Sequence, residues 1–127
     1  MTSKRTEDKP NYWNIARLLL PLSNCLKRRY ACVIVKDGNV IATGYNVSPN
    51  DCVTCARDSI PHNTGDYAEC PSIHAEQIAL LHADNSELNN ECEMYLVCDK
   101  DPDPQPCPTC RKLLDWCGVK LMREGQV

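Results

Sequence analysis

Apolar residues recur at helical spacing near the start of the chain. Tyr12, Ile15, Ala16, Leu19 and Leu20 fall on one stripe, which predicts a helix with that face in the core, ended or kinked at Pro21. The period then changes. Cys32-Val33-Ile34-Val35 and Val40-Ile41-Ala42-Thr43 flank Lys36-Asp37-Gly38-Asn39, and Asp-Gly between two β-rich runs predicts a hairpin of antiparallel strands. From residue 48 to 71 the pattern is lost, and Pro, Asn, Asp, Gly and Cys dominate. It returns with Ile73, Ile78, Leu81 and the alanines at 75, 79 and 83, a helix for which Ser72 is a suitable N-cap and His74 a first-turn residue. Residues 94–98 read as a buried strand, and residues 99–106, with Pro102, Pro104 and Pro106, as a stiff extended loop. Pro108 suits the first turn of a helix and Gly118 its end, so residues 108–117 are helical and residues 119–122 form a last short strand.

This pattern fits one domain. At 127 residues the chain buries a core without staples, and no second domain fits. Residues 1–10 are polar, end in Pro10 and read as a flexible N-terminus. Residues 48–71 are a Cys-rich insert. Structureless loops longer than about 12–15 residues are uncommon in compact domains unless functional, so something must hold this one. Cys52 and Cys55 have the spacing of a metal chelate, Cys70 closes the segment and His62 lies between. A structural zinc is the natural staple.

The chemistry is carried by His74-Ala75-Glu76 and, after one helix, loop and strand, by Pro106-Cys107-Pro108-Thr109-Cys110. One imidazole and two thiolates are three zinc ligands where a closed structural site would have four, so a coordination position stays open for water. Glu76, two residues from the histidine, is placed to handle that water's proton without being a ligand. Cys107 and Cys110 stand three apart at a helix start, where the helix dipole favours thiolate. The order H-x-E, then P-C-x-x-C, is the signature of zinc-dependent deaminases. In that chemistry the glutamate takes the water proton, passes it to the ring nitrogen and later protonates the departing amine.

A closer resemblance rests on Ser23-Asn24-Cys25-Leu26-Lys27-Arg28-Arg29, the hairpin, Gly44-Tyr45-Asn46, the Cys-rich insert and His74-Ala75-Glu76-Gln77. Together these resemble the deoxycytidylate (dCMP) deaminase family, from residue 12 to about residue 121. The resemblance implies an α/β class protein, a three-layer α/β/α cytidine-deaminase-like fold with a central mixed sheet, and a homo-oligomer. It also implies conversion of dCMP to dUMP. Glu76 would be the catalytic residue, His74, Cys107 and Cys110 the catalytic zinc ligands, and Asn46 and Ala75 substrate contacts, Asn46 beside the sugar. A second zinc is implied too, on Cys25, Cys55 and Cys70, with Cys52 or His62 as the fourth ligand. Cys52 is favoured for its chelate spacing. Cys32, Cys92, Cys98 and Cys117 are left as core or surface residues.

Charge and cysteine usage narrow the partners. A net charge of −3 and a pI near 5.5 argue against a protein that grips long nucleic acid and favour a small substrate. No apolar run approaches the ~20 residues of a membrane helix, and the segment ahead of Trp13 is too polar for a signal peptide. Ten cysteines in such a chain therefore read as thiols of a reducing cytoplasm. Lys27, Arg28 and Arg29 form a basic cluster beside the motifs, and two meanings stay open for it: a solvated surface run, or a grip on a nucleotide phosphate by Arg28 and Arg29. A free nucleoside, a base, a triphosphate or a modified pyrimidine would meet the same zinc chemistry. A different class also stays open, in which Cys52, Cys55, Cys107 and Cys110 pair as one zinc knuckle of an interaction module.

Overall fold

The computed structural model describes residues 11–25, 28–48 and 73–124. Helix α1 (Tyr12–Arg17) is capped by Asn11, whose side chain accepts from the Asn14 amide, and it passes into a 3-10 turn at Leu20–Leu22 around Pro21. Strands β1 (Tyr30–Lys36) and β2 (Asn39–Tyr45) follow as the expected hairpin. Asp37 and Gly38 both have positive φ, 53° and 77°, the pair that a two-residue type I′ turn requires. Helix α2 (Ala75–His82), strand β3 (Glu93–Cys98), helix α3 (Pro108–Cys117) and strand β4 (Lys120–Met122) complete the order.

The four strands lie in the order β2-β1-β3-β4, antiparallel except for the parallel pair β3–β4, so the sheet is mixed. Both central strands are apolar on both faces, because both faces are covered. On one face Ala31, Val33, Val35, Tyr95 and Val97 pack with Ala16 of α1, where the Trp13 ring meets Tyr95 edge-on at 4.8 Å. On the other, Cys32, Ile34, Met94 and Leu96 pack with Ala75 and Ala79 of α2 and Leu114 of α3. This is the expected three-layer α/β/α arrangement.

The start of α2 differs from expectation. Ile73 is extended, donating to the Val47 carbonyl at 2.8 Å and accepting from the Val47 amide at 3.1 Å. The helix therefore begins after residue 73, with His74 as its N-cap and not Ser72. The His74 amide donates to Gln77 Oε1 at 2.9 Å, the return half of a capping box. Ser72, residues 1–10 and residues 49–71 of the insert lie outside the described residues.

Gly44 of β2 sets how closely α2 approaches the sheet. A Cβ there would stand 2.2 Å from the Ala75 carbonyl oxygen and 2.7 Å from the Ala79 amide nitrogen, both backbone atoms that cannot turn aside. Gly44→Ala should therefore cost about 3 kcal/mol, as overpacking against a rigid backbone does, and lower the thermal midpoint and zinc content together. A midpoint within one degree of wild type would show that α2 is free to shift.

Candidate active site

Two helix starts meet at the site. His74 caps α2, Cys107 caps α3 with Pro108 at its first position, and Cys110 follows one turn on. His74 Nδ1 lies 3.3 Å from Cys110 Sγ and 3.5 Å from Cys107 Sγ, and all three donor atoms fall within 4.8 Å of one another. A tetrahedral zinc with Zn–S ≈ 2.3 Å and Zn–N ≈ 2.0–2.1 Å separates its sulfur and nitrogen ligands by about 3.6 Å. The donor set fits that ion. Among the described residues it is the one cluster of three or more such groups. The Cys110 thiol's hydrogen bond, and then His74, hold Cys107 down to about 4 against the opposing effect of burial, while the same bond and burial push Cys110 up. Thiolate is thus already favoured at one ligand.

Glu76 is only 4% exposed although it is the second residue of a short helix. A solvated helix glutamate would not be buried there. Burial pushes its carboxyl above the usual range, partly opposed by its own backbone amide and by His74. Ala75 is fully buried and its carbonyl accepts from the Cys32 thiol at 3.4 Å. Cys32, read from sequence as core or surface, is therefore directly beneath the motif. It also contributes to the field at Cys110.

Asn46, at the end of β2, is 5% exposed. Its Oδ1 accepts from Ser23 Oγ at 2.5 Å and from the Tyr30 amide at 2.8 Å, and its Nδ2 donates to the Arg28 carbonyl at 2.8 Å. The side chain thus clamps the segment that carries the basic residues, leaving one amide hydrogen for a ligand. Arg28 is half-buried, and its Nε is buried with no hydrogen-bond partner among the described residues. Arg29 is exposed, its amide donating to Asp99 Oδ1 and its carbonyl accepting from the Asp99 amide. That pair ties down the start of the 99–106 loop, and an ion pair between Asp103 and Arg123 ties down its middle.

For the second metal, Cys25 is half-buried, with its amide donating to Ser23 Oγ. Its neighbour Asn24 brackets Ser48, the first residue of the insert, accepting from the Ser48 amide at 2.7 Å and donating to its carbonyl at 3.0 Å. Lys27, Cys52, Cys55, His62 and Cys70 lie outside the described residues. Cys107 and Cys110 face His74, whereas Cys52 and Cys55, their partners in the alternative four-cysteine knuckle, are among the residues that lie outside those described.

Residues 6–123 match the family model of the cytidine and deoxycytidylate deaminase zinc-binding region. The chain is 36% identical over 118 residues, 90% of its length, to the deoxycytidylate deaminase of Saccharomyces cerevisiae, and spans about a third (34%) of that protein. To the deoxycytidylate deaminase of Mycobacterium phage D29 it is 30% identical, covering 86% of this chain and 87% of that one. The crystal structure of the cyanophage S-TIM5 dCMP deaminase in complex with dCMP and dUMP is similar at a TM-score of 0.58 and 29% identity, over 87% of this chain and 75% of that one.

Because Asn46 satisfies buried partners, it is structural as well as near the site. Asn46→Ala should strand the Tyr30 amide and the Ser23 hydroxyl and cost about 1–3 kcal/mol. Denaturant titration measures this, and an unchanged midpoint would show that those bonds contribute nothing net.

Proposed function

The chain belongs to the cytidine and deoxycytidylate deaminase family, and from that membership we infer that it hydrolyses the exocyclic amine of a cytosine nucleotide. The substrate we propose is dCMP, which with one water gives dUMP and ammonia. The observation that carries this reading is the convergence of His74, Cys107 and Cys110 beside a buried Glu76. The relatives named deoxycytidylate deaminase and the phage enzyme seen with dCMP and dUMP support the substrate. So does the Nε of Arg28, buried and without a hydrogen-bond partner among the described residues, a donor suited to a phosphate oxygen. Arg29, whose main chain already holds Asp99, reads as the outer member of that grip.

His74 Nδ1, Cys107 Sγ and Cys110 Sγ would hold zinc, and when bound the ion supplies the Lewis acidity that makes a water nucleophilic near neutral pH. Two thiolates weaken that acidity, so a positioned proton acceptor is needed. Glu76 is that acceptor, and its burial raises its proton affinity above that of a solvated carboxylate. It accepts the water proton, delivers it to N3 of the ring, and later gives a proton to the leaving amine. Ala75, adjacent to both Glu76 and His74, lines the same pocket, and the remaining Nδ2 hydrogen of Asn46 is available to a sugar hydroxyl.

A second, structural zinc on Cys25 and three residues of the insert, Cys52, Cys55 and Cys70 with His62 as the alternative, completes the proposal. The bracketing of Ser48 by Asn24 supports it, since it sets Cys25 beside the root of the insert. A homo-oligomer is supported by Leu81 on α2 and Trp116 on the neighbouring α3, which are 76% and 90% exposed. No helix among the described residues is long and apolar enough to cross a membrane, which is compatible with the cytoplasmic setting we propose.

Glu76→Gln tests the chemistry. It should retain the fold and both zinc ions per chain by elemental analysis, yet lose nearly all ammonia release from dCMP, because an amide cannot accept the water proton. Activity near wild type would remove Glu76 from the mechanism, and one zinc in the wild-type chain would remove the second site. The phosphate grip is tested by comparing dCMP with deoxycytidine. Arg28→Gln should lower kcat/KM on dCMP about tenfold to a hundredfold, the worth of one charge-assisted hydrogen bond, and leave the nucleoside unaffected. Equal losses on both substrates would mean a fold defect in place of a lost phosphate contact.

A further inference from the structure

Tyr30 opens β1 on the sheet face that carries α2 and α3, the face it shares with Cys32 and Ile34, and packs against their cluster. Across the strands it pairs with Cys98 of β3, and its hydroxyl donates to the Cys98 sulfur. Its main chain is gripped by Asn46 on the β2 side: the Tyr30 amide donates to Asn46 Oδ1 and the Asn46 amide donates to the Tyr30 carbonyl at 3.2 Å. Asn46, Tyr30 and Cys98 thus form one rung across the sheet. The preceding rung, Gly44, Cys32 and Leu96, lies under the first turn of α2, as the approaches of Gly44 and Cys32 to Ala75 show. The Tyr30 rung is the next one along the strands, two residues before Cys32, which contacts Ala75 between His74 and Glu76. There the phenol is within electrostatic reach of both Glu76 and Arg28, one at the reacting end of the substrate and the other at the proposed phosphate end. Burial pushes its ionisation far above the ordinary value, so it stays a neutral hydrogen-bond donor, fixed on Cys98.

We propose that Tyr30, braced by Cys98 and Asn46, is the specificity-determining residue that sets the size of the base pocket. Its ring fills the floor between Glu76 and Arg28, leaving room for an unsubstituted pyrimidine and excluding larger rings and ring-substituted cytosines. This rests on reading the site as a cytosine nucleotide deaminase. The side chain takes no proton in the reaction, so its signature is discrimination between substrates and not loss of turnover as such.

The test compares zinc-loaded wild type, Tyr30→Val, Tyr30→Leu and Tyr30→Phe on dCMP and its 5-methyl, 5-hydroxymethyl and N4-methyl derivatives. Amine release gives kcat/KM, and zinc content and thermal midpoint identify the folded variants. Pocket space of about one methylene changes discrimination roughly tenfold to two-hundredfold. Tyr30→Val should therefore raise kcat/KM on at least one derivative, relative to dCMP, by about tenfold or more, with Tyr30→Leu shifting the same way by less. Tyr30→Phe keeps the ring and should keep the wild-type preference. Unchanged ratios in either folded aliphatic variant overturn the proposal, and so does loss of the preference in Tyr30→Phe. If wild type releases amine from none of these compounds, the deaminase reading is what fails. Calorimetric affinities of zinc-loaded wild type and Tyr30→Val for the same panel then read pocket size directly, and identical orders of affinity in the two overturn the assignment to Tyr30.

Discussion

The site depends on two helix starts being brought within bonding distance of one ion, and the sheet fixes both. Helix α2 is seated by Gly44, whose missing side chain admits the backbone of Ala75 and Ala79, and its entry is pinned by the Ile73–Val47 bridge. Helix α3 is the crossover between the parallel strands β3 and β4, so its start falls at the end of β3 where the loop tied to Arg29 and Arg123 delivers Cys107. Neither helix is long, at 8 and 10 residues. Helices of that length draw their stability from packing more than from propensity, and a change in the sheet beneath them is therefore a change in the metal site.

The same arrangement explains how Glu76 is buried. A carboxylate removed from water costs free energy unless partners are present, and here the partners are its own backbone amide and His74. Folding therefore favours a proton on this group more than water does, in the direction that the proposed role of proton carrier requires. The stability given up at Glu76 and the reactivity proposed for it have one cause.

Local signals in the sequence accounted for much of the fold. Asp37-Gly38 fixed the hairpin because a type I′ turn needs two positive φ values, and Pro108 with Gly118 bounded α3 to the residue because each has one conformational preference. The candidate zinc ligands were legible because the chemistry demands those residue types in that order, and the fold brings them together. What failed was the start of α2: Ser72 is a good cap by type, but the Ile73–Val47 bridge, a tertiary contact, holds residue 73 extended and moves the cap to His74. The roles of Tyr30, Cys32 and Cys98 were invisible for a related reason. Each looks like an ordinary apolar strand residue, and only the antiparallel register puts Tyr30 opposite Cys98 and Cys32 under Ala75.

Asn46 is where the proposed binding role and a structural role would be one act. Its three hydrogen bonds to Ser23, Tyr30 and Arg28 fix the main chain on which the Arg28 guanidinium and the Tyr30 ring are mounted. Holding those groups before substrate arrives removes part of the ordering entropy that binding would otherwise oppose. The cost is carried in the folded state by a buried amide that must keep all its partners. An active site built on such a rung is rigid in the plane of the sheet and open above it. Discrimination then falls to whichever side chain stands up from the rung, and at the centre of this one that side chain is Tyr30.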